Sequence, residues 1–180
     1  MTARMTARML LAISLAALTA IPGTALAGPP AQNFGTHLSG DEEVPPRETP
    51  AQGQSTFKLS ADGESLDYRL IASNIENVVA SHIHIGPAGS NGPVVAFLYG
   101  PAAPGGGRTS GVLAEGTITD ADLVGPLAGQ DLDDLVAAMR AGNTYVNVHM
   151  NDGDNTPNEG PGDFPGGEIR GQIEPRGSSS

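Results

Sequence analysis

Ser81-His82-Ile83-His84-Ile85-Gly86 reads with a period of two. Ile83 and Ile85 point one way and His82 and His84 the other, the signature of a β-strand with one apolar face. A second run, Tyr145-Val146-Asn147-Val148-His149, repeats the pattern. Val146 and Val148 share one side, and Tyr145, Asn147 and His149 the other. Three of the chain's four histidines fall in these two runs. If the two strands are neighbours, three imidazoles meet over one patch of sheet.

Further strands are expected on both sides of these runs. Phe34 to Leu38 predicts a short strand, and the segment to Gly53, with Pro45 and Pro46, an edge or loop. Gln54–Ser60 and Ser65–Ala72 form a hairpin about Ala61-Asp62-Gly63-Glu64. Ser55, Phe57 and Leu59 share one face of the first arm, and Leu66, Tyr68, Leu70 and Ala72 one face of the second. Val78–Ile85 and Val94–Tyr99 are strands around the turn-rich Gly86–Pro93. Gly111–Thr119 alternates with Val112, Ala114, Gly116 and Ile118 on one side. Asp131–Arg140 is the one helix: Leu132, Leu135, Val136 and Met139 form a single apolar stripe. Acidic residues lie at its start, Arg140 at its end, and Gly142 where a left-handed cap belongs. A strand over Tyr145–Met150 follows, then an acidic loop over Asn151–Gly166. The last strand, Gly167–Ile173, puts Ile169 and Ile173 inward and Glu168, Arg170 and Gln172 outward. Eight short strands and one helix, without β-α alternation, predict an antiparallel sandwich or barrel rather than a parallel sheet.

The ends and the charge narrow the setting. Met1–Ala27 reads as a secretory signal: Arg4 and Arg8, an apolar run too short to span a bilayer, then Ala25-Leu26-Ala27 for cleavage. Residues 28–33 are expected to be a flexible N-terminus, 34–174 the folded domain and 175–180 a disordered tail. The protein is then secreted, to a periplasm or the outside. Of nine basic residues two lie in the leader, and with twenty acidic residues the mature chain carries −13. That balance excludes nucleic-acid partners and anionic membrane surfaces, and no second apolar run suggests membrane insertion. The absence of cysteine excludes disulfides and thiol chemistry.

Five blocks, in order, resemble the CHRD domain, the repeat unit of chordin that also occurs alone in secreted bacterial proteins. They are Leu38-Ser39-Gly40-Asp41-Glu42-Glu43-Val44-Pro45-Pro46, Ser81-His82-Ile83-His84-Ile85-Gly86-Pro87-Ala88, Asn91-Gly92-Pro93-Val94-Val95, Ala141-Gly142-Asn143-Thr144-Tyr145-Val146-Asn147-Val148-His149 and Pro165-Gly166-Gly167-Glu168-Ile169-Arg170-Gly171-Gln172-Ile173. The resemblance covers roughly residues 34–174. It implies a single extracellular all-β domain and a binding module rather than an established reaction. Met150 stands where the family usually has Thr, and the loop after it is longer than usual. The His-x-His strand with a later strand histidine is also similar to copper-zinc superoxide dismutase, an antiparallel sandwich. The zinc-site histidines and disulfide of that enzyme are missing, so dismutase activity is not expected. The fold class expected is therefore an all-β antiparallel sandwich or barrel, immunoglobulin-like or dismutase-like, with one short helix.

Histidines at i and i+2 of a strand lie about 6–7 Å apart at the backbone, within reach of one ion. With one from a neighbouring strand, His82, His84 and His149 make an open three-nitrogen set suited to copper or zinc. His37 is a candidate fourth ligand. The alternative is a structural or adhesive module that binds an extracellular protein or a glycan through its loops, with the histidines serving as surface polar groups. Asp152-Gly153-Asp154-Asn155, with Glu159 and Asp163, is rich in carboxylates but lacks EF-hand spacing and reads as a solvated loop. Glu168 and Arg170 are expected in an ion pair with a loop carboxylate such as Glu43. No nucleophile elbow or phosphate loop is present, so no catalytic residue is assigned.

Overall fold

The computed structural model describes residues 32–154 and 160–177. The signal segment, most of the residues assigned to the flexible N-terminus, and Ser178–Ser180 lie outside the described residues. So do 155–159 of the acidic loop.

Nine strands build one antiparallel sheet: β1 (Asn33–Ser39), β2 (Gln52–Leu59), β3 (Leu66–Glu76), β4 (Val78–Ile85), β5 (Val94–Tyr99), β6 (Arg108–Ile118), β7 (Thr144–Met150), β8 (Ile169–Gln172) and β9 (Glu174–Arg176). The order is β5-β4-β7-β8-β1-β2-β3-β6, with β9 paired to β1. The sheet curls into a nearly closed barrel. Its seam lies between β5 and the β3–β6 end. There the Tyr68 hydroxyl donates to the Leu98 carbonyl at 2.8 Å. The segment after β6 covers the free edge of β5, with the Val124 amide donating to the Val95 carbonyl at 2.9 Å. Of the two architectures the strand pattern allows, the chain forms the barrel.

The inward residues follow the alternation. Phe57, Leu59, Leu66, Leu70, Ile83, Val146, Val148 and Ile169 are buried in one core. The helix α1 (Leu132–Arg140) adds Leu132, Leu135, Val136 and Met139 to that core. Nine residues are too few for a helix to stand alone in water. Burying four large side chains, at roughly 1.5–3 kcal/mol each, is what holds it. Gly142 adopts a φ of +66°. The Gly142 and Asn143 amides then donate to the Met139 and Ala138 carbonyls, a Schellman end that turns the chain directly into β7.

Three details depart from the sequence reading. Val112 is 47% exposed, so it does not share a side with the buried Ile118. The pairing of β3 with β6 skips Leu113, so a bulge there reverses the alternation and turns Leu113 toward the core. The last strand divides in two. Pro175 and Arg176, expected in the tail, pair with Phe34 and Asn33 instead. Asn33, expected in the loose N-terminus, accordingly begins β1. Finally, β7 is buried on both faces, because loops cover the side that faces away from the core.

Candidate metal site

β4 and β7 are antiparallel neighbours, with His82 opposite Asn147, His84 opposite Tyr145 and Ala80 opposite His149. This register brings the three histidines predicted as ligands onto one patch. Nδ1 of His82 lies 3.1 Å from Nε2 of His149. One ligand nitrogen from each of His82, His84 and His149 falls within 4.8 Å of the other two. His37, the candidate fourth ligand, is not among them. It sits exposed on β1, with its Nε2 2.7 Å from the Gln52 side-chain oxygen, beside a cleft with Thr36, Glu42 and Arg176.

The surrounding loops fix the ring protons. Nδ1 of His84 faces the Gly92 carbonyl at 2.8 Å, and Nδ1 of His149 faces the Pro165 carbonyl at 2.8 Å. A carbonyl only accepts, so both Nδ1 atoms carry the hydrogen, and each Nε2 is a bare lone pair. Burial pushes the pKa of all three rings down, helped at His82 by its two histidine neighbours, which brings it to about 4. All three are therefore neutral near pH 7. Nε2 of His84 is buried and has no hydrogen-bond partner. Neutral imidazoles anchored through one nitrogen to a carbonyl, with the other bare, are in the form that ligates metal.

A layered stack backs the site. The His84 ring lies parallel to Tyr145, centroids 4.7 Å apart and planes 8° from each other. The Arg170 guanidinium covers that Tyr145 ring at 3.4 Å. Arg170 points away from the core as expected, yet is 1% exposed. It donates to the Pro87 and Ser90 carbonyls and to Asn91 Oδ1, holding the β4–β5 loop over the sheet. Phe97 of β5, 50% exposed, stands edge-on to His82 at 4.7 Å.

The expected Glu43–Arg170 ion pair is replaced by a looser arrangement. Glu43 is buried, and burial raises its carboxyl to about 7 against the pull of Arg170 and Arg47. Its Oε1 has no hydrogen-bond partner, since Arg170 spends its donors on the β4–β5 loop. Glu168 instead ties two loops together, accepting from the Thr49 hydroxyl and, at 2.7 Å, from the Gly162 amide. Of the acidic-loop residues read as solvated, Asp152 and Asp154 are exposed but Asp163 turns inward.

All five blocks behind the family resemblance meet here. Glu43, His82 and His84, Asn91 and Gly92, Tyr145 to His149, and Pro165 to Arg170 enclose one patch on one face of the barrel. A family model for the CHRD domain matches residues 34–159. The chain belongs to the CHRD domain family, whose members are extracellular and generally non-enzymatic binding modules. No curated protein and no solved structure matches it. Among the described residues no helix is long and apolar enough to cross a membrane.

Proposed function

We propose that this protein is a secreted, non-enzymatic binding module that holds one transition-metal ion, copper or zinc, through His82 Nδ1, His84 Nε2 and His149 Nε2. The bare, buried Nε2 of His84 is the observation that carries the reading. A buried acceptor without a donor costs about 1–3 kcal/mol, and a metal ion removes that cost.

The distances fit an ion that closes the site. Two nitrogens on one ion at ~2.0–2.1 Å lie at most ~4.2 Å apart. The His82–His149 pair at 3.1 Å is already inside this span. The widest separation, within 4.8 Å, reaches this span by closing about 0.6 Å through rotation of a ring about its soft terminal torsion. His82 then moves its proton from Nδ1 to Nε2. The donors are all neutral imidazoles, the set that suits copper and zinc and suits calcium or magnesium poorly.

Metal analysis and copper and zinc titration of the exported protein test this, beside the His82→Ala/His84→Ala double variant. One ion per chain, weakened at least a hundredfold in the variant, is the expected result. Absence of binding in the unaltered protein would leave the histidines structural and turn attention to an extracellular protein or glycan at the loops.

A further inference from the structure

We infer that the side-chain oxygen of Asn147 is a fourth metal donor, completing an N3O set with His82, His84 and His149. The inference rests on the three-histidine reading and extends it to a neutral amide oxygen.

Asn147 stands two residues before His149 on the same face of β7, directly opposite His82. Its Oδ1 is 2.9 Å from Nε2 of His149. The oxygen lies against His149 Nε2, the same nitrogen that faces His82 Nδ1 at 3.1 Å.

The three rings carry too few protons for the contacts they make. Three neutral imidazoles bring three N–H groups. Those of His84 and His149 go to Gly92 and Pro165. That of His82 goes from Nδ1 to Nε2 of His149. None remains for the contact between His149 Nε2 and Asn147 Oδ1, nor for His84 Nε2. Two acceptors at 2.9 Å without a proton between them repel, and a cation between them turns the repulsion into coordination.

Reversing the amide would bring its N–H2 to His149 and turn its oxygen toward the space beside Gly167. The Glu43 carboxyl and Nδ2 of Asn147 both border the space beside Gly167. A β-carbon placed there would lie 2.3 Å from Glu43 Oε1 and 3.1 Å from Asn147 Nδ2. Reversal would set the amide oxygen toward a buried carboxylate. Gly167, at a φ of +119°, leaves the room that both side chains border. An amide oxygen serves as a weak fourth donor beside stronger ligands in copper sites.

The test uses the exported protein at pH 8, where Glu43 is a carboxylate. Zinc affinity is measured by chelator competition and the copper(II) site by electron paramagnetic resonance, for the unaltered chain, Asn147→Ala, Asn147→Asp and the His82→Ala/His84→Ala double variant. Circular dichroism of the metal-free forms checks the fold. Asn147→Ala should bind zinc about tenfold or more weakly and change the copper spectrum, while Asn147→Asp restores binding through its own oxygen. Unchanged affinity and spectrum in Asn147→Ala, with binding lost in the double variant, would remove Asn147 from the ligand set and leave the histidine site standing. Weakened binding with an unchanged spectrum would make Asn147 a positioning residue and overturn the inference. No binding by the unaltered chain would overturn both readings. Should Asn147→Ala not fold, zinc added to 15N-labelled unaltered protein decides: a shift of the Asn147 side-chain amide signals supports coordination, and unmoved signals contradict it.

Discussion

At the scale of single residues, Glu43 is buried with its Oε1 unpartnered. Its carboxyl is raised to about 7 because desolvation outweighs Arg170 and Arg47. A group whose folded pKa exceeds its unfolded value, near 4.5, stabilises the fold below the unfolded value. That contribution is lost as pH rises toward 7. Glu43→Gln should therefore raise the stability of the metal-free protein at pH 8 by roughly 1–3 kcal/mol, and by much less at pH 4.5. Thermal melts at the two pH values check this. Much of this site was legible beforehand. Period two puts Asn147 on the His149 face and the three histidines on matching faces. What strand periodicity does not contain is the proton arrangement, which depends on the Gly92 and Pro165 carbonyls of two loops. Nor does it reveal that Arg170, outward on its strand, is covered by a loop from eighty residues earlier. His37 was a weaker candidate because alternation gives a side of the strand but not its neighbours.

At the scale of elements, the close crossing of β1 and β8 explains a small residue in the last motif block. A β-carbon on Gly171 would fall 1.9 Å from the His37 carbonyl and 2.2 Å from Thr36 Oγ1. Backbone cannot yield as a side chain can, so Gly171→Ala should separate β8 from β1 and cost at least about 2–3 kcal/mol. A denaturant titration would show the midpoint falling, and an unchanged midpoint would mean the strands slide apart freely. The positions of the strands and α1 were readable because alternation and the apolar stripe are local. The bulge at Leu113 was not readable: it is a register shift against β3, a property of two strands together. The pairing of β9 with β1 is likewise a long-range contact of a short segment that contains proline.

At the scale of the whole molecule, barrel closure and the histidine cluster set how the protein responds to its surroundings. Tyr68 bridges the seam through its hydroxyl. Tyr68→Phe should cost about 1–2 kcal/mol by leaving the Leu98 carbonyl unpaired, read as a lower melting temperature. The three histidines act on the acid side. Their folded pKa values lie below the unfolded value of 6.5, so the unfolded chain takes up protons first as pH falls. Their contribution is intact above 6.5 and is lost on descent toward 4, the value to which His82 is lowered. Melts of the metal-free protein should fall in this window by more than those of the His82→Ala/His84→Ala variant. Bound metal, at a hundred times its dissociation constant, should add about 2.7 kcal/mol. The zinc and copper titration of the protein beside that double variant tests the three-histidine site most directly. The account requires one ion per chain, lost when His82 and His84 are replaced. A protein that binds no ion, or binds equally well without those two rings, would contradict it.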